Sequence, residues 1–394
     1  MSEVYSRIPK KEIENRIQKL STKLHENNLD AALLLSIQEI YYYSGVGLNG
    51  AVYVTSDGNA TYLVKRNLEL AKAYSPLDDI REYGRQSALF QNLKAEDDSR
   101  IGVEEDIVSY SFLSYLKTKA SPSELVDASN IFRTIRSIKS KFEVQQIETA
   151  AGIIDEMMTY CTEVATPDMT EIDLVSRLDS WLLEHNHAGN ITTRGFNTGM
   201  LHYSYVVSSD TSSLNSFFTP VSGQGLSLKY PYGPTRRKLG RNKPFIVDAC
   251  GNCNGYVSDT TRTFVCGTFD SQHLEYLAAL TEIKEYLSKE LVSGRNLGVL
   301  FSDVWKLANE LEVAEMFMGE PNNHVAFIGH GVGLELDEPP ILYARGPDLE
   351  AGHIIACEPK LVIPTQLVLG IEDTFHITSS KPEILTHATE YFEI

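Results

Sequence analysis

The chain has too few basic residues and too few cysteines for several classes of protein. Lysine and arginine total 35 against 53 aspartate and glutamate residues, which gives a formal net charge of -18. A protein this acidic repels phosphate backbones and anionic lipid, so we expect no nucleic-acid partner and no membrane partner. Five cysteines in 394 residues do not make a disulfide scaffold, and an odd number leaves at least one of them unpaired.

Long apolar stretches are also missing. The polar start of the chain, residues 1–11, is followed by no apolar segment of the kind found in secretion signals. The apolar run nearest to it, residues 31–35, is far too short to span a bilayer. We therefore expect a cytoplasmic protein, in keeping with the low cysteine count.

What the sequence does contain is enough apolar residues for two cores. A chain of 394 residues with 42% hydrophobic residues exceeds the size at which a single core keeps growing. Short strand-like runs and helical patterns alternate over the first part of the chain, which predicts an α/β unit. Near residues 137–141 the chain becomes basic and enters a long amphipathic segment, so we predict domains at residues 1–137 and 138–394. Helices are predicted at residues 11–27, 109–119, 142–164, 171–184, 270–293 and 297–313, and strands at 29–36, 51–54, 60–64, 354–363 and 366–378.

Residues 245–264 form two β-prone runs around a Gly and Asn turn cluster, which predicts a β-hairpin. If the turn is centred near Cys253 and Asn254, Asp248 lies directly opposite Asp259. Opposed strand residues have Cβ atoms about 5 Å apart, and like charges there are destabilising unless a cation lies between them or one carboxyl is protonated.

The same arrangement recurs in residues 354–378. A turn is predicted around Thr365, and Glu358 and Glu372 each lie seven residues from it. One facing pair of acids could share a proton, but two pairs predict a site that gathers four carboxylates around divalent cations. His330, in the sequence Gly-His-Gly-Val-Gly, is the candidate imidazole because flanking glycines let the backbone approach closely. Four carboxylates and one imidazole suit a pair of metal ions.

Two simpler interpretations compete with a metal site. A single acidic residue on a strand is usually exposed to solvent, but the mirrored placement of four acids argues against that explanation for the set. Cys250 and Cys253 have a Cys-x-x-Cys spacing that could bind metal or act in redox chemistry. Without a second pair of cysteines or histidines at matching spacing, we interpret them as small residues beside the hairpin turn.

These motifs resemble the pita-bread metallohydrolases, a family that includes methionine aminopeptidase, aminopeptidase P, prolidase and creatinase. The resemblance implies an α/β (α+β) fold, with an N-terminal creatinase-like α/β domain followed by a C-terminal pita-bread domain. It further implies two divalent metal ions (Mn, Co, Zn or Fe) and a homodimer. The segments that carry the resemblance are Val247-Asp248, Ser258-Asp259-Thr260-Thr261-Arg262-Thr263-Phe264, Gly329-His330-Gly331-Val332-Gly333, Glu358-Pro359, Ile371-Glu372-Asp373-Thr374 and, in the N-terminal domain, Tyr41-Tyr42-Tyr43-Ser44-Gly45.

The sequence departs from the family pattern at three places that face the substrate. Asp337 stands where peptidases of the family usually have a histidine. The segment 229–232, Lys-Tyr-Pro-Tyr, replaces their Pro-His, and Gly370 replaces a frequent arginine. Residues that could compensate are Asp337 itself, His202, Lys229 and Tyr230.

The resemblance predicts hydrolysis of an amide or related C–N bond by a metal-bridged hydroxide, with Glu358 as general acid and base. An Xaa-Pro dipeptidase or aminopeptidase is the leading hypothesis, with Asp337 and His202 as further catalytic candidates. Because the substrate-facing residues depart from the family pattern, two alternatives stay open. One is a creatinase-like hydrolase or lyase of small molecules, and the other is a binding module without catalysis.

Overall fold

The computed structural model describes residues 6–85, 88–93, 99–195, 203–213, 219–320 and 323–394. The described residues form two compact units. One comprises residues 6–136 with 194 and 195, and the other comprises residues 137–193 and 203–394. Among the helices in these ranges, none combines the length and the apolarity needed to cross a bilayer.

The first unit is a six-stranded mixed sheet with helices. Its strand order is β4-β3-β2-β1-β5-β6, with antiparallel pairing between β1 and β2 and between β2 and β3, and parallel pairing elsewhere. The inner strands are buried along most of their length and build a core with the helices, in which Leu33 and Ile101 of the sheet join Leu116 of a helix. The elements are α1 (Lys10–Glu26), β1 (Ala31–Leu34), α2 (Ile37–Ser44), β2 (Gly50–Thr55), β3 (Ala60–Val64), α3 (Leu68–Tyr74), β4 (Asp79–Glu82), β5 (Arg100–Val103), α4 (Tyr110–Ala120), β6 (Glu124–Asp127) and α5 (Ser129–Ser137).

The second unit contains two larger sheets, of strand order β19-β9-β8-β7 and β13-β12-β14-β17-β18, and two short two-stranded sheets. Its helices are α6 (Lys141–Val164), α7 (Glu171–Glu184), α8 (Ser271–Glu290) and α9 (Leu297–Glu310). Its strands are β7 (Ser204–Ser208), β8 (Pro244–Cys253), β9 (Tyr256–Val265), β10 (Gly319–Glu320), β11 (Asn323–His324), β12 (Phe327–Gly331), β13 (Glu338–Tyr343), β14 (Ile354–Cys357), β15 (Lys360–Ile363), β16 (Leu367–Gly370), β17 (Asp373–His376), β18 (Glu383–Ile384) and β19 (Tyr391–Glu393).

All six predicted helices form within three residues of their predicted bounds. Local sequence explains where α6 and α7 begin, since each starts with a capping box. Ser140 and Glu143 form the first, and Thr170 and Asp173 the second. The apolar faces of α6 and α7 pack with β8 and β9, whereas α8 and α9 pack with the sheet that contains β12, β14 and β17.

The first acidic hairpin forms as predicted, but the predicted register is wrong. Cys253 pairs with Tyr256, so the turn residues are Asn254 and Gly255. Both have positive φ (52° and 87°), as a two-residue type I′ turn requires. Asp248 therefore lies opposite Thr261, and Asp259 opposite Cys250. The two aspartates are diagonal neighbours on one face of the hairpin, still close enough to act together.

The second acidic hairpin keeps its predicted mirror symmetry around Thr365. Cys357 pairs with Asp373 in the β14–β17 ladder, and Lys360 pairs with Gly370 in the β15–β16 ladder, in one continuous register. Glu358 and Glu372 occupy the mirrored positions in the gap between the two ladders. An isolated bridge between Thr261 and Glu372 joins this hairpin to the first one.

Candidate metal centre

The five predicted ligands come together in the second unit. Asp248 and Asp259 project from β8 and β9, His330 from β12, Glu358 follows β14, and Glu372 precedes β17. The His330 Nε2 atom lies 3.7 Å from Asp259 Oδ2 and 3.8 Å from Glu358 Oε1. All are buried except Asp248, whose side chain is 19% exposed.

Three of these side chains form a group of suitable size for a metal ion. One ligand atom from each of Asp259, His330 and Glu372 lies within 4.8 Å of the other two. Within the described part of the chain, Glu372 Oε1 is buried and has no hydrogen-bond partner. A buried carboxylate oxygen without a partner is costly unless a cation binds it. Because oxygen and imidazole ligands suit first-row divalent ions, the residues present fit such an ion.

Glycines beside His330 allow β12 to lie between β13 and β14. A Cβ atom at Gly329 would lie 2.4 Å from the carbonyl oxygen of Ala356, and one at Gly331 would lie 2.5 Å from that of Pro339. Both contacts are with backbone on the neighbouring strands, which cannot easily move away. The Gly-His-Gly sequence therefore has a steric cause, which is the close approach of neighbouring strands and not of a metal site.

Lys360 is a member of this cluster that sequence analysis did not find. Its Nζ lies 2.6 Å from Glu358 Oε2, 2.9 Å from Asp248 Oδ2 and 3.4 Å from Glu372 Oε2, and the side chain is 1% exposed. A signal was present in the sequence. A lysine begins the otherwise apolar strand β15, and mirror symmetry around Thr365 places it opposite Gly370, where the family pattern has an arginine.

The electrostatics show a shortage of positive charge. Burial raises the pKa of Asp259 well above its usual range, and Glu372 and Asp248 raise it further. Burial also raises the pKa of Glu372 to about 8, against the lowering influence of Lys360. Burial alone would lower the pKa of Lys360, but Asp248, Glu358 and Glu372 outweigh it and hold that pKa well above its usual value. One ammonium thus compensates the carboxylates only in part.

Residues next to Asp259 hold Glu372 in place. The Thr261 hydroxyl donates a hydrogen bond to Glu372 Oε2 at 2.6 Å, and the Thr261 carbonyl accepts one from the Glu372 amide at 3.0 Å. Arg262 Nη1 donates to the Glu372 carbonyl at 2.6 Å, while its Nη2 pairs with Asp373 Oδ1 at the same distance. The motif around Asp259 therefore positions a carboxylate of the other hairpin.

The two cysteines of the Cys-x-x-Cys spacing do not act together. The Cys250 thiol donates to Asp259 Oδ1 at 3.5 Å, whereas Cys253 Sγ lies 3.8 Å from Gln146 Oε1. All five cysteines are free thiols. Burial raises the pKa of Cys250 well above its usual range, and Asp259 raises it further, so this thiol is neutral beside the acids.

The residues proposed to replace the missing histidines are scattered. His202 lies outside the described residues. Asp337 is half-buried in the turn between β12 and β13, close in sequence to His330. Lys229 and Tyr230 are exposed, with Lys229 Nζ 5.0 Å from the Tyr230 ring centre. In the ranges that the structure describes, no hydrogen bond or ion pair links Lys229 or Tyr230 to the five candidate ligands.

Two β-hairpins bring four carboxylates together with the imidazole from β12, an arrangement that fits the class of metal-dependent hydrolases. Comparison with protein families identifies the class more closely. The model described as metallopeptidase family M24 matches residues 145–379, and the creatinase/prolidase N-terminal domain matches residues 16–138. The chain therefore belongs to metallopeptidase family M24. The predicted family, fold class and metal-dependent hydrolase class are confirmed.

Similar proteins match this chain along nearly its whole length. The Xaa-Pro dipeptidase of Pyrococcus horikoshii is 25% identical over 377 residues, 94% of this chain and 96% of the relative. The Xaa-Pro dipeptidase of Pyrococcus furiosus is 26% identical, and the match covers 95% of this chain and 98% of the relative. Among solved structures, the prolidase from Pyrococcus horikoshii has a TM-score of 0.80 at 24% identity, covering 95% of this chain and 99% of the other. An Xaa-Pro dipeptidase from Bacillus anthracis also has a TM-score of 0.80, at 21% identity, covering 97% and 99%.

Proposed function

We propose that this protein is a metal-dependent dipeptidase that hydrolyses dipeptides with proline in the second position. The observation that carries the proposal is the buried group of Asp259, His330 and Glu372, in which Glu372 Oε1 has no hydrogen-bond partner among the described residues. Relatives named Xaa-Pro dipeptidase that match 94% and 95% of the chain support this substrate class. Residues 138–394 would form the catalytic domain and residues 1–137 the creatinase-type N-terminal domain.

Asp259, His330 and Glu372 would hold a divalent ion, with Asp248 and Glu358 next to them. A bound ion of this kind polarises the scissile carbonyl and lowers the pKa of a water molecule. Mixed oxygen and nitrogen ligands accept Mn, Co, Zn and Fe. The expectation of two ions stays a prediction, as do the homodimer and the cytoplasmic location.

Glu358 is the proposed general acid and base. Its Oε2 atom is held by the Lys360 ammonium at 2.6 Å, while its Oε1 atom lies on the His330 side, 3.8 Å from Nε2. This arrangement fixes the carboxylate with one oxygen and directs the other toward the reacting groups. Glu358 Oε1 would take a proton from the attacking water and pass it to the leaving proline nitrogen.

A second candidate function rests on Asp337, which stands in a half-buried turn where the family pattern has an imidazole. An acid there donates and accepts protons differently from a histidine. This favours a small-molecule substrate of the creatinase type, and a C–N hydrolase or lyase would then be the activity.

The test is an assay of the full chain, stripped of metal and reloaded with Mn, Co, Zn or Fe in turn. We expect hydrolysis of Ala-Pro, Leu-Pro and Met-Pro, with Ala-Ala as the comparison, and a loss of about 10²–10⁴ in kcat for Glu358→Gln. Asp168→Asn, a change at an exposed acid, is the matched control and should keep full activity. Loaded protein that binds metal but cleaves no Xaa-Pro dipeptide would favour the second candidate, to be tested with creatine.

A further inference from the structure

Lys360 occupies a place in the acidic cluster that a cation would otherwise fill. We propose that its ammonium group takes one of the two cation positions, so that the centre binds a single divalent metal ion on Asp259, His330 and Glu372. This inference rests on the proposed function, because it takes the cluster to be a metal site. It changes the expected stoichiometry from two ions to one.

The contacts of Lys360 divide the cluster into two halves. Its Nζ lies 2.9 Å from Asp248 Oδ2 and 2.6 Å from Glu358 Oε2. Metal–oxygen distances are about 2.0–2.2 Å, so an ion bound to these same two oxygens would have to displace the lysine nitrogen that they already enclose. The other half is formed by Asp259, His330 and Glu372, whose ligand atoms lie close to one another. Of these three residues, Glu372 contacts Lys360, through its Oε2 atom.

Two glutamates connect the halves. Glu358 directs Oε2 to Lys360 and Oε1 to the His330 side. Glu372 Oε2 receives the Thr261 hydroxyl and faces Lys360, while its Oε1 atom has no hydrogen-bond partner in the described ranges. Glu372 therefore keeps one oxygen for an ion next to the ammonium, and Glu358 keeps its Oε1 atom free on the same side to act as the base.

The charge count is compatible with one ion, and the repulsion between cations argues against a second. Asp248, Asp259, Glu358 and Glu372 carry four negative charges when ionised, and the Lys360 ammonium leaves a formal charge of minus three. One divalent ion brings the charge to minus one, whereas two would make it plus one beside a buried ammonium. Two divalent ions and an ammonium in one buried cluster would repel each other strongly in this low-dielectric environment.

The backbone holds Lys360 in this position. Lys360 pairs with Gly370 on β16, and the Lys360 carbonyl oxygen accepts a hydrogen bond from the Met318 amide at 2.9 Å. The side chain is 1% exposed and the backbone is bonded on both sides, so Lys360 is held within the cluster. The family resemblance places an arginine at position 370, so in this chain a cation comes from the paired position on the opposite strand. The alternative to be tested is that Lys360 forms an ion pair beside the metal site and leaves room for two metal ions.

The experiment measures metal stoichiometry. The full chain is stripped with chelator, dialysed against Mn²⁺, and its bound metal is measured by elemental analysis and native mass spectrometry. We expect one ion per chain for the wild type and the electron paramagnetic resonance spectrum of isolated Mn²⁺. We expect two ions per chain for Lys360→Ala, with the spectrum of an exchange-coupled pair. Lys284→Ala is the matched control, since this ammonium lies 3.5 Å from Asp373 but touches no candidate ligand, and it should bind one ion.

Each outcome decides the matter. Two ions in the wild type would overturn the inference and leave the proposed function intact, as would one ion in both the wild type and a folded Lys360→Ala protein. No bound ion after loading would contradict the proposed function itself. Circular dichroism checks the fold of the variant, and Lys360→Gln serves as a second variant. If neither variant folds, the wild-type stoichiometry still tests the single-ion prediction, and two ions would overturn it.

Discussion

Gly370 lies directly opposite Lys360 in the β15–β16 ladder, and a Cβ atom at Gly370 would lie 3.0 Å from Lys360 Cγ. The small residue thus leaves the space through which the lysine stem reaches the carboxylates. The same Cβ would lie 3.1 Å from Thr261 Cγ2, on the strand of the first hairpin. The absence of a side chain at position 370 therefore makes room for the side chain of Lys360.

Gly370→Ala should destabilise the protein by about 1–3 kcal/mol, because the added methyl overpacks this contact. The cost should be smaller when the same change is made in a Lys360→Ala protein, since the crowded Cγ is then absent. Urea unfolding of the four proteins of this double-mutant cycle measures the coupling. Equal costs in both backgrounds would show that Thr261, and not Lys360, limits the space.

Asp259→Asn should separate two effects of the acidic cluster on stability. Repulsion between the acids destabilises the metal-free protein, whereas the metal ion that they bind stabilises it. In the metal-free protein we expect an unchanged or higher melting temperature, because one buried acid is removed from a group of like charges. A ligand at a hundredfold excess over its Kd stabilises the folded state by about 2.7 kcal/mol, so metal should raise the wild-type melting temperature. The variant should lose most of this increase.

Thermal unfolding in EDTA and in Mn²⁺ measures both effects. Asp168→Asn, at an exposed position paired with Lys238, provides the matched substitution and should respond to metal as the wild type does. A metal-induced increase in Asp259→Asn equal to that of the wild type would exclude Asp259 as a ligand.

Arg262→Met should destabilise the second unit by about 3–5 kcal/mol, because it leaves the buried carboxylate of Asp373 without its closest cationic partner. It should also weaken metal binding, since Arg262 Nη1 holds the Glu372 carbonyl. Lys284→Met removes the other cation near Asp373, at 3.5 Å, and should cost about 1 kcal/mol or less. Calorimetric titration with Mn²⁺ and urea unfolding compare the two variants, and equal effects would contradict a positioning role for Arg262.

His353 should make stability depend on pH. Burial lowers the pKa of this histidine to about 4, with a further contribution from Lys139, against 6.5 in an unfolded chain. Between these values the unfolded state binds a proton that the folded state does not, so stability falls as the pH decreases from about 6.5 toward about 4. His353→Asn removes this dependence. At pH 7 the variant should be less stable than the wild type, because the Nδ1 atom accepts a hydrogen bond from the Glu350 amide.

Urea unfolding at pH 7 and pH 5 checks this prediction. The stability difference between wild type and His353→Asn should shrink by about 2 kcal/mol from pH 7 to pH 5, at about 1.4 kcal/mol for each pH unit below 6.5. Other groups titrate in both proteins and cancel in the difference. A difference that stays constant would mean that folding leaves the pKa of His353 unchanged.

The sequence alone determined the six longest of the described helices and the five candidate ligands. Helical periodicity and capping residues such as Ser140 and Thr170 lie within a few residues of the helices they define, so the six helices could be predicted closely. The mirrored positions of Glu358 and Glu372 and the glycines around His330 were also visible as local patterns. Such signals depend on neighbours in the chain and need no knowledge of the fold.

The register of the first hairpin was also encoded locally, because the pair Asn254 and Gly255 is a preferred two-residue turn, and this turn places Asp259 diagonal to Asp248. Tertiary structure decided the rest. The contact of Thr261 with Glu372, and the place of Lys360 among three carboxylates, arise where two hairpins separated by about a hundred residues pack together. Which cation neutralises a buried acid depends on what packing brings within 3 Å of it, and no local pattern contains that distance.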